Sequence, residues 1–185
     1  KGVADALLKT IRIYDCDYVR TSDSDAFDEA SAFHPGRSAV ILKDGKAIGI
    51  LGEIHPDVAE NYGIEVKVYA AKLNVPEMLK LSEKEVTYKP MPKFPATTRD
   101  LSLICDDNLP AASIEKAIKK AAGKVLEKVT LFDVYKGKQI EEGKKSISYS
   151  ISMRSHDGTL TDEQADSVMK KVLKALKDIG ADLRM

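Results

Sequence analysis

Residues 146–153 read Ser-Ile-Ser-Tyr-Ser-Ile-Ser-Met. In an extended strand, successive side chains point to opposite faces. Ile147, Tyr149, Ile151 and Met153 therefore make one apolar face, and Ser146, Ser148, Ser150 and Ser152 make a hydroxyl face. A strand of this kind belongs in an antiparallel sheet that is covered on one side only. The rest of the chain must supply helices for the apolar face and leave the other face to solvent or to a ligand.

The flanking sequence supplies those helices. Leu101–Cys105 reads as a strand. Pro110–Ala122 reads as a helix, with Ile114, Ala117, Ile118 and Ala121 at helical spacing and Gly123 as its stop. Val125–Tyr135 and Ser146–Arg154 read as two long strands around a polar loop, Lys136–Lys145. Thr161 followed three residues later by Gln164 is a capping box. It opens a helix with the stripe Ala165, Val168, Met169, Val172, Leu173 and Leu176. After Gly180, Ala181–Arg184 reads as an edge strand. The order is βαββαβ, the ferredoxin-like arrangement. Each helix has a single apolar stripe, so both must cover the same sheet face.

Alternation then assigns the open face. In the first strand Leu101, Leu103 and Cys105 go to the core, leaving Asp100, Ser102 and Ile104 outside. In the second, Thr130, Phe132 and Val134 alternate with Leu131, Asp133 and Tyr135, and burying Phe132 and Val134 is cheaper than burying an unpaired Asp133, which costs roughly several kcal/mol. Asp133 and Tyr135 are thus expected on the open face with Ser102, Ser146 and Arg154.

The first half is less regular. Ala4–Ile11 reads as a helix end and Thr21–Ala30 as an acidic loop. Ala39–Leu42 and Ala47–Ile54 are apolar strands joined by Lys43-Asp44-Gly45-Lys46, and Asp-Gly between apolar runs signals a hairpin. Short helices are expected at Pro56–Asn61 and Pro76–Leu81, with a strand at Val66–Leu73 between them. Pro90, Pro92 and Pro95 cannot continue a helix or a central strand, which makes 90–97 a linker between a 1–89 module and a 98–185 domain. The fold class is α+β throughout.

Composition narrows the function classes. At 43% hydrophobic and 31% charged, the chain can bury a core, and no apolar run approaches the roughly 20 residues a membrane helix needs. Cys16 and Cys105 lie far apart without CxxC spacing, which argues against a disulfide framework or thiolate zinc site and fits a reducing cytoplasm. The chain opens Lys1-Gly2-Val3 without a methionine, which predicts a fragment of a longer protein. Residues 1–90 carry 12 Lys+Arg and 15 Asp+Glu, net −3; the remainder of 29 and 29 leaves 17 and 14, net +3, in 91–185. That balance permits a local basic patch without requiring a nucleic-acid partner.

An open sheet face bearing an aromatic ring and hydrogen-bonding groups suits single-stranded RNA. Bases stack on the ring at about 1–3 kcal/mol each, while polar groups read their edges. A carboxylate such as Asp133 accepts from guanine N1–H and N2–H, and Lys136, Lys138, Lys144 and Lys145 in the adjoining loop are placed for phosphates. Alternatives stay open: a face that is merely polar, a dimer surface, or a regulatory module binding a small effector at a sheet edge. His34, Glu53 and His55 invite a metal or hydrolase reading, but their spacing matches no zinc motif such as HExxH. Both histidines precede proline, which biases them to extended turns, with Arg37 and Glu53 expected either to brace the loop against the hairpin or to face a partner subunit. His156 sits in a turn ahead of a helix, and no catalytic triad or paired carboxylate is legible.

At this point a resemblance enters. KFPATTRDLSLICDDNLPAASIEKAI, LFDVYKG, EEGKKSISYSISMRSHDGTLTDEQ and IGADLRM together resemble the C-terminal anticodon-binding domain of the bacterial phenylalanyl-tRNA synthetase β subunit. SAFHPGRSAVIL, GKAIGILGEIHPDV and VYAAKLNV are similar to the class II synthetase-like, non-catalytic module that precedes it. The resemblance covers nearly the whole chain. It implies part of an α2β2 ligase in which the α subunit performs ATP- and Mg²⁺-dependent aminoacylation in the cytoplasm. This fragment would bind neither cofactor. Its partners would be tRNA(Phe), the α subunit and the rest of the β subunit. Carried onto matching motif positions, the family's anticodon contacts fall on Ser102, Asp133, Tyr135 and Ser146.

Overall fold

The structure is a computed structural model that describes every residue except 84, 87, 89, 156 and 185. His156 therefore lies outside the described residues. The chain divides into two compact units, 1–88 and 89–185, each with its own antiparallel sheet.

The first unit holds α1 (Gly2–Thr10), β1 (Asp17–Arg20), β2 (Phe33–Lys43), β3 (Lys46–Ile54), α2 (Pro56–Asn61), β4 (Tyr69–Leu73) and α3 (Val75–Leu81). Its strands lie in sequence order, a simple meander. The β2–β3 hairpin closes through Asp44 and Gly45 at φ 50° and 76°. Positive φ at both central residues is the twist-matched turn that Asp-Gly favours. Register steps from Ile41↔Gly49 to Leu42↔Ala47, so Ile48 is an extra residue in β3. The bulge turns Ile48 into a core with Leu8, Ile13, Ile41 and Met78. Val40, Ile50 and Phe33 form a second core. β1 was not apparent from its sequence, Asp-Tyr-Val-Arg, and β4 is shorter than the expected 66–73 strand.

The second unit holds β5 (Thr97–Asp106), α4 (Ala111–Ala122), β6 (Leu126–Tyr135), β7 (Lys144–Met153), α5 (Asp162–Lys177) and β8 (Ala181–Leu183). The sheet order is β6-β7-β5-β8, all neighbours antiparallel, as the ferredoxin-like arrangement requires. Both strands of the predicted capping box are present: the Thr161 hydroxyl accepts from the Gln164 N–H, and the Gln164 amide oxygen accepts from the Thr161 N–H. Ile114 and Ile118 of α4 and Ala165, Val172 and Leu176 of α5 bury against Leu101, Leu103, Ile147, Tyr149, Ile151 and Met153. The two helices thus cover one sheet face, and the β7 alternation decides which.

Strand β6 departs from the expectation. Pairing runs Thr130↔Ser150, Leu131↔Tyr149, then Asp133↔Ser148, so Phe132 is an extra residue without its own partner. A bulge shifts the alternation by one. Thr130 shares the open face, and Val129 and Leu131 share the helix side. Phe132, predicted buried, is 57% exposed, and Val134 is also exposed. The β6 residues packed on the core are Leu126 and Val129, so the far half of this edge strand runs past the helical cover. After the bulge the phase returns, and Asp133 and Tyr135 stand on the open side as expected, opposite Ser148 and Ser146.

Arg154 does not simply point outward. Its Nε and one Nη donate to the two Glu127 carboxylate oxygens at 2.9 and 3.1 Å, and its other Nη donates to the Phe94 carbonyl. It ties the proline-rich segment to the end of β7. The hydrogen bond from Arg154 lowers the Glu127 carboxyl below its ordinary value.

Candidate nucleic-acid interface

The open face of the second sheet is built from cross-strand rows. One row reads Asp133, Ser148, Ser102 across β6, β7 and β5. It continues to Arg184, whose main-chain N–H donates to the Ser102 carbonyl at 2.8 Å just past the end of β8. The next row reads Tyr135, Ser146, Ile104, Asp182. All four residues expected from sequence therefore fall in two adjacent rows on one face.

Their accessibility differs from the simple picture of a wet hydroxyl strip. Ser146 is only 2% exposed and Ser148 6%. β7 is an interior strand, flanked by β6 on one side and β5 on the other. The hydroxyls of Ser102 and Ser148 share a hydrogen bond at 2.8 Å. Ser146 Oγ accepts from Arg184 Nη at 3.4 Å. Asp133 and Tyr135, by contrast, are exposed on the edge strand.

Tyr135 is held by the chain that follows it. A Cβ placed on Gly137 would come within 2.4 Å of the Tyr135 hydroxyl oxygen and 2.6 Å of Cζ. The ring edge therefore lies against bare backbone, and a side chain at 137 would push the ring out of this place. Lys145 alternates with Ser146 and so lies on the helix side of the sheet, where it is buried and donates to the carbonyls of Asp107 and Leu109 at 2.8 and 2.6 Å. Its ammonium braces the β5–α4 loop, so the phosphate role expected from sequence does not suit it. Lys136 pairs with Asp107, whose carboxyl that hydrogen bond holds below its ordinary value. Lys144 pairs with Glu141 at 2.6 Å, which raises the lysine. Exposed pairs of this kind are screened by solvent and exchange partners readily. Among the described residues Lys138 has no partner. Lys136, Lys138 and Lys144 are the cations this loop can offer.

Arg184 is the group that sequence reasoning missed. Parity in the last strand could have found it, since Asp182 and Arg184 alternate with the core-facing Ala181 and with Leu183.

In the first unit, Arg37 Nη donates to both Glu53 oxygens at 3.0 and 3.1 Å, bracing β2 against β3. Burial would raise the Glu53 carboxyl, but the Arg37 hydrogen bond and charge outweigh it, and the net shift is downward. The rings of His34 and His55 lie 6.5 Å apart between centroids. Among the described residues no three His, Cys, Asp or Glu side chains converge as a metal site would need, and no helix is long and apolar enough to cross a membrane.

Comparison with known proteins gives two family matches. The ferredoxin-fold anticodon binding domain family matches residues 92–184, and the phenylalanyl tRNA synthetase beta chain CLM domain family matches residues 1–75. Curated relatives named phenylalanine–tRNA ligase beta subunit align along the chain. That of Clostridium acetobutylicum is 40% identical over 185 residues, that of Clostridium tetani 44% over 185, and that of Symbiobacterium thermophilum 39% over 184. Each alignment takes in 100% of this chain but only 23%, 23% and 20% of the relative's length. The chain thus spans less than a quarter of the curated relatives it matches.

Proposed function

Because the chain belongs to the ferredoxin-fold anticodon binding domain family, with a phenylalanyl-tRNA synthetase beta chain segment ahead of it, we propose that its 98–185 domain grips the anticodon stem-loop of tRNA(Phe). The observation that carries this reading is the pair of rows on the uncovered face, Asp133–Ser148–Ser102 beside Tyr135–Ser146. A base stacks on Tyr135, and the Asp133 carboxylate accepts from the N1–H and N2–H of a guanine. Ser102 and Ser146 line the floor beneath it. Lys136, Lys138 and Lys144 meet phosphates of the same loop.

The wider assignment follows from the same reading. The 1–89 module supports assembly with an α subunit and with the remainder of a β subunit, in a cytoplasmic ligase. ATP and Mg²⁺ serve aminoacylation in that α subunit. Among the described residues of this chain no three His, Cys, Asp or Glu side chains converge to hold a metal.

The test is a fluorescence titration of the full chain with a tRNA(Phe) anticodon stem-loop across salt concentrations. Three exposed lysines limit the counterions released, so log K should fall against log salt with a slope no steeper than about −2. A much steeper slope, with equal affinity for an unrelated hairpin, would identify a general polyanion binder and sink the proposal.

A further inference from the structure

We infer that the first unit carries a binding site for a small monocarboxylate with an apolar body, seated between α2 and the segment 64–68 with its carboxylate on Arg37. This site shares no residue with the anticodon reading and does not depend on it. The cavity has a volume of about 550 Å³, in the size range of small-molecule sites. Its outer wall is the segment 64–68, which is pinned at both ends. The Ile64 N–H donates to the Ala59 carbonyl of α2 at 3.0 Å, and the Ile54 N–H of β3 donates to the Val68 carbonyl at 2.9 Å.

The polar part of the lining is a set of donors with one spare positive charge. Glu53 is 4% exposed, and a single Nη of Arg37 donates to both of its oxygens. Among the described residues the Nε and the other Nη of Arg37 make no bond, although the side chain is half exposed. That edge of a guanidinium offers a carboxylate two parallel N–H donors. His34 also lines the cavity, and its Nδ1 accepts from the Gly36 N–H at 3.1 Å. In the neutral ring the proton then sits on Nε2, which donates. Lys67 lines the cavity from the segment 64–68, and its charge acts on Glu53. Arg37, Lys67 and Glu53 together leave one positive charge. Two further carboxylates, Glu60 and Glu65, are exposed along the lining. The set therefore suits one negative charge and repels phosphates and polycarboxylates.

The remainder of the lining is apolar. Pro56 and Ala59 come from α2, and Ile64, Val66 and Val68 from the facing segment. Ile64 is 40% exposed and Val66 72%, so apolar surface stands in water beside the spare edge of Arg37. A branched or aromatic body lying along this segment would cover that surface, which favours binding. The carboxylate then fixes orientation, and the apolar wall supplies affinity, the usual division of labour in a small-molecule pocket.

The probe is 4-methylpentanoate, titrated into the full chain and followed by amide chemical shifts. It should bind saturably, with the largest shifts at His34, Arg37, Val66 and Lys67. Acetate lacks the apolar body and should bind at least about tenfold more weakly. The uncharged isostere 4-methylpentanamide cannot pair with the guanidinium edge and should also bind roughly tenfold more weakly. Arg37→Lys keeps a cation on Glu53 but loses the fork, and should weaken 4-methylpentanoate roughly tenfold. Val66→Ser leaves the Arg37–Glu53 pair intact, so it tests the site even if the Arg37 variant fails to fold. It should weaken 4-methylpentanoate and leave acetate unchanged. The inference is overturned if 4-methylpentanoate and its amide bind alike, if neither binds, or if the shifts miss both 34–37 and 64–68. L-Leucine, the same skeleton with an added ammonium, should bind more weakly; tighter binding would assign the site to zwitterions and overturn the monocarboxylate.

Discussion

Tyr135→Ala is expected to weaken binding of the anticodon stem-loop roughly ten- to a hundredfold, with little change in stability. Loss of one base–aromatic stack costs about 1–3 kcal/mol. The ring stands at the last residue of the edge strand β6, beyond the helical cover, and no core residue packs through it. Tyr135→Phe keeps the stacking surface and should retain most of the affinity. Gly137→Ala should reproduce much of the loss by a different route, because its methyl group would occupy the space that now holds the Tyr135 ring edge. A titration in which Tyr135→Ala matches wild type would remove the stacking platform from the account.

Tyr149→Ala should produce the largest stability loss, about 3–5 kcal/mol for residues 89–185 in urea unfolding. Tyr149 is fully buried at the centre of the second sheet, between helices α4 and α5 and strands β5 and β6. Its hydroxyl donates to the Ala111 carbonyl at the start of α4 at 3.2 Å. Burial raises that phenol well above its ordinary value, so it stays neutral and keeps donating through the usual pH range. Tyr149→Phe removes only the hydrogen bond and should cost about 1 kcal/mol. Phe132→Ala is the informative contrast. Had Phe132 been buried as its sequence suggests, its loss would rival that of Tyr149. Being the exposed residue of a bulge, it should cost under about 1 kcal/mol. A loss at Phe132 comparable to that at Tyr149 would contradict the β6 register.

What the sequence could and could not convey follows from how each feature is encoded. The β7 alternation and the capping box of α5 are local patterns, one of period two and one of fixed offset, and both elements formed where they were expected. The β6 bulge is encoded in pairing with β7, and nothing within Thr130–Tyr135 marks Phe132 as the extra residue. Burying Phe132 followed from carrying one phase through the bulge; Val134 keeps its expected phase opposite Ile147 and is exposed because the helices do not reach that end of β6. Asp133 and Tyr135 were still placed correctly, because the charge of Asp133 decides its face without reference to the strand's phase. Lys145 reads as one of four loop lysines, yet it enters β7 beside the β5–α4 loop and spends its ammonium on two carbonyls. Parity within the last strand puts Arg184 on the open face, but its place over Ser146 depends on the sheet order that sets β8 beside β5. Short-range chemistry was visible in the sequence; cross-strand neighbours needed the sheet.

The central claim is that RNA meets the uncovered face of the second sheet. Amide chemical-shift mapping of the full chain during titration with the tRNA(Phe) anticodon stem-loop tests it directly. The account predicts that the largest shifts cluster at Ser102, Asp133, Tyr135, Ser146 and Arg184 and in the loop from Lys136 to Lys144, with α4 and α5 unperturbed on their outer surfaces. Shifts concentrated on the exposed lysines of α4 and α5, with the two rows of the open face silent, would contradict it.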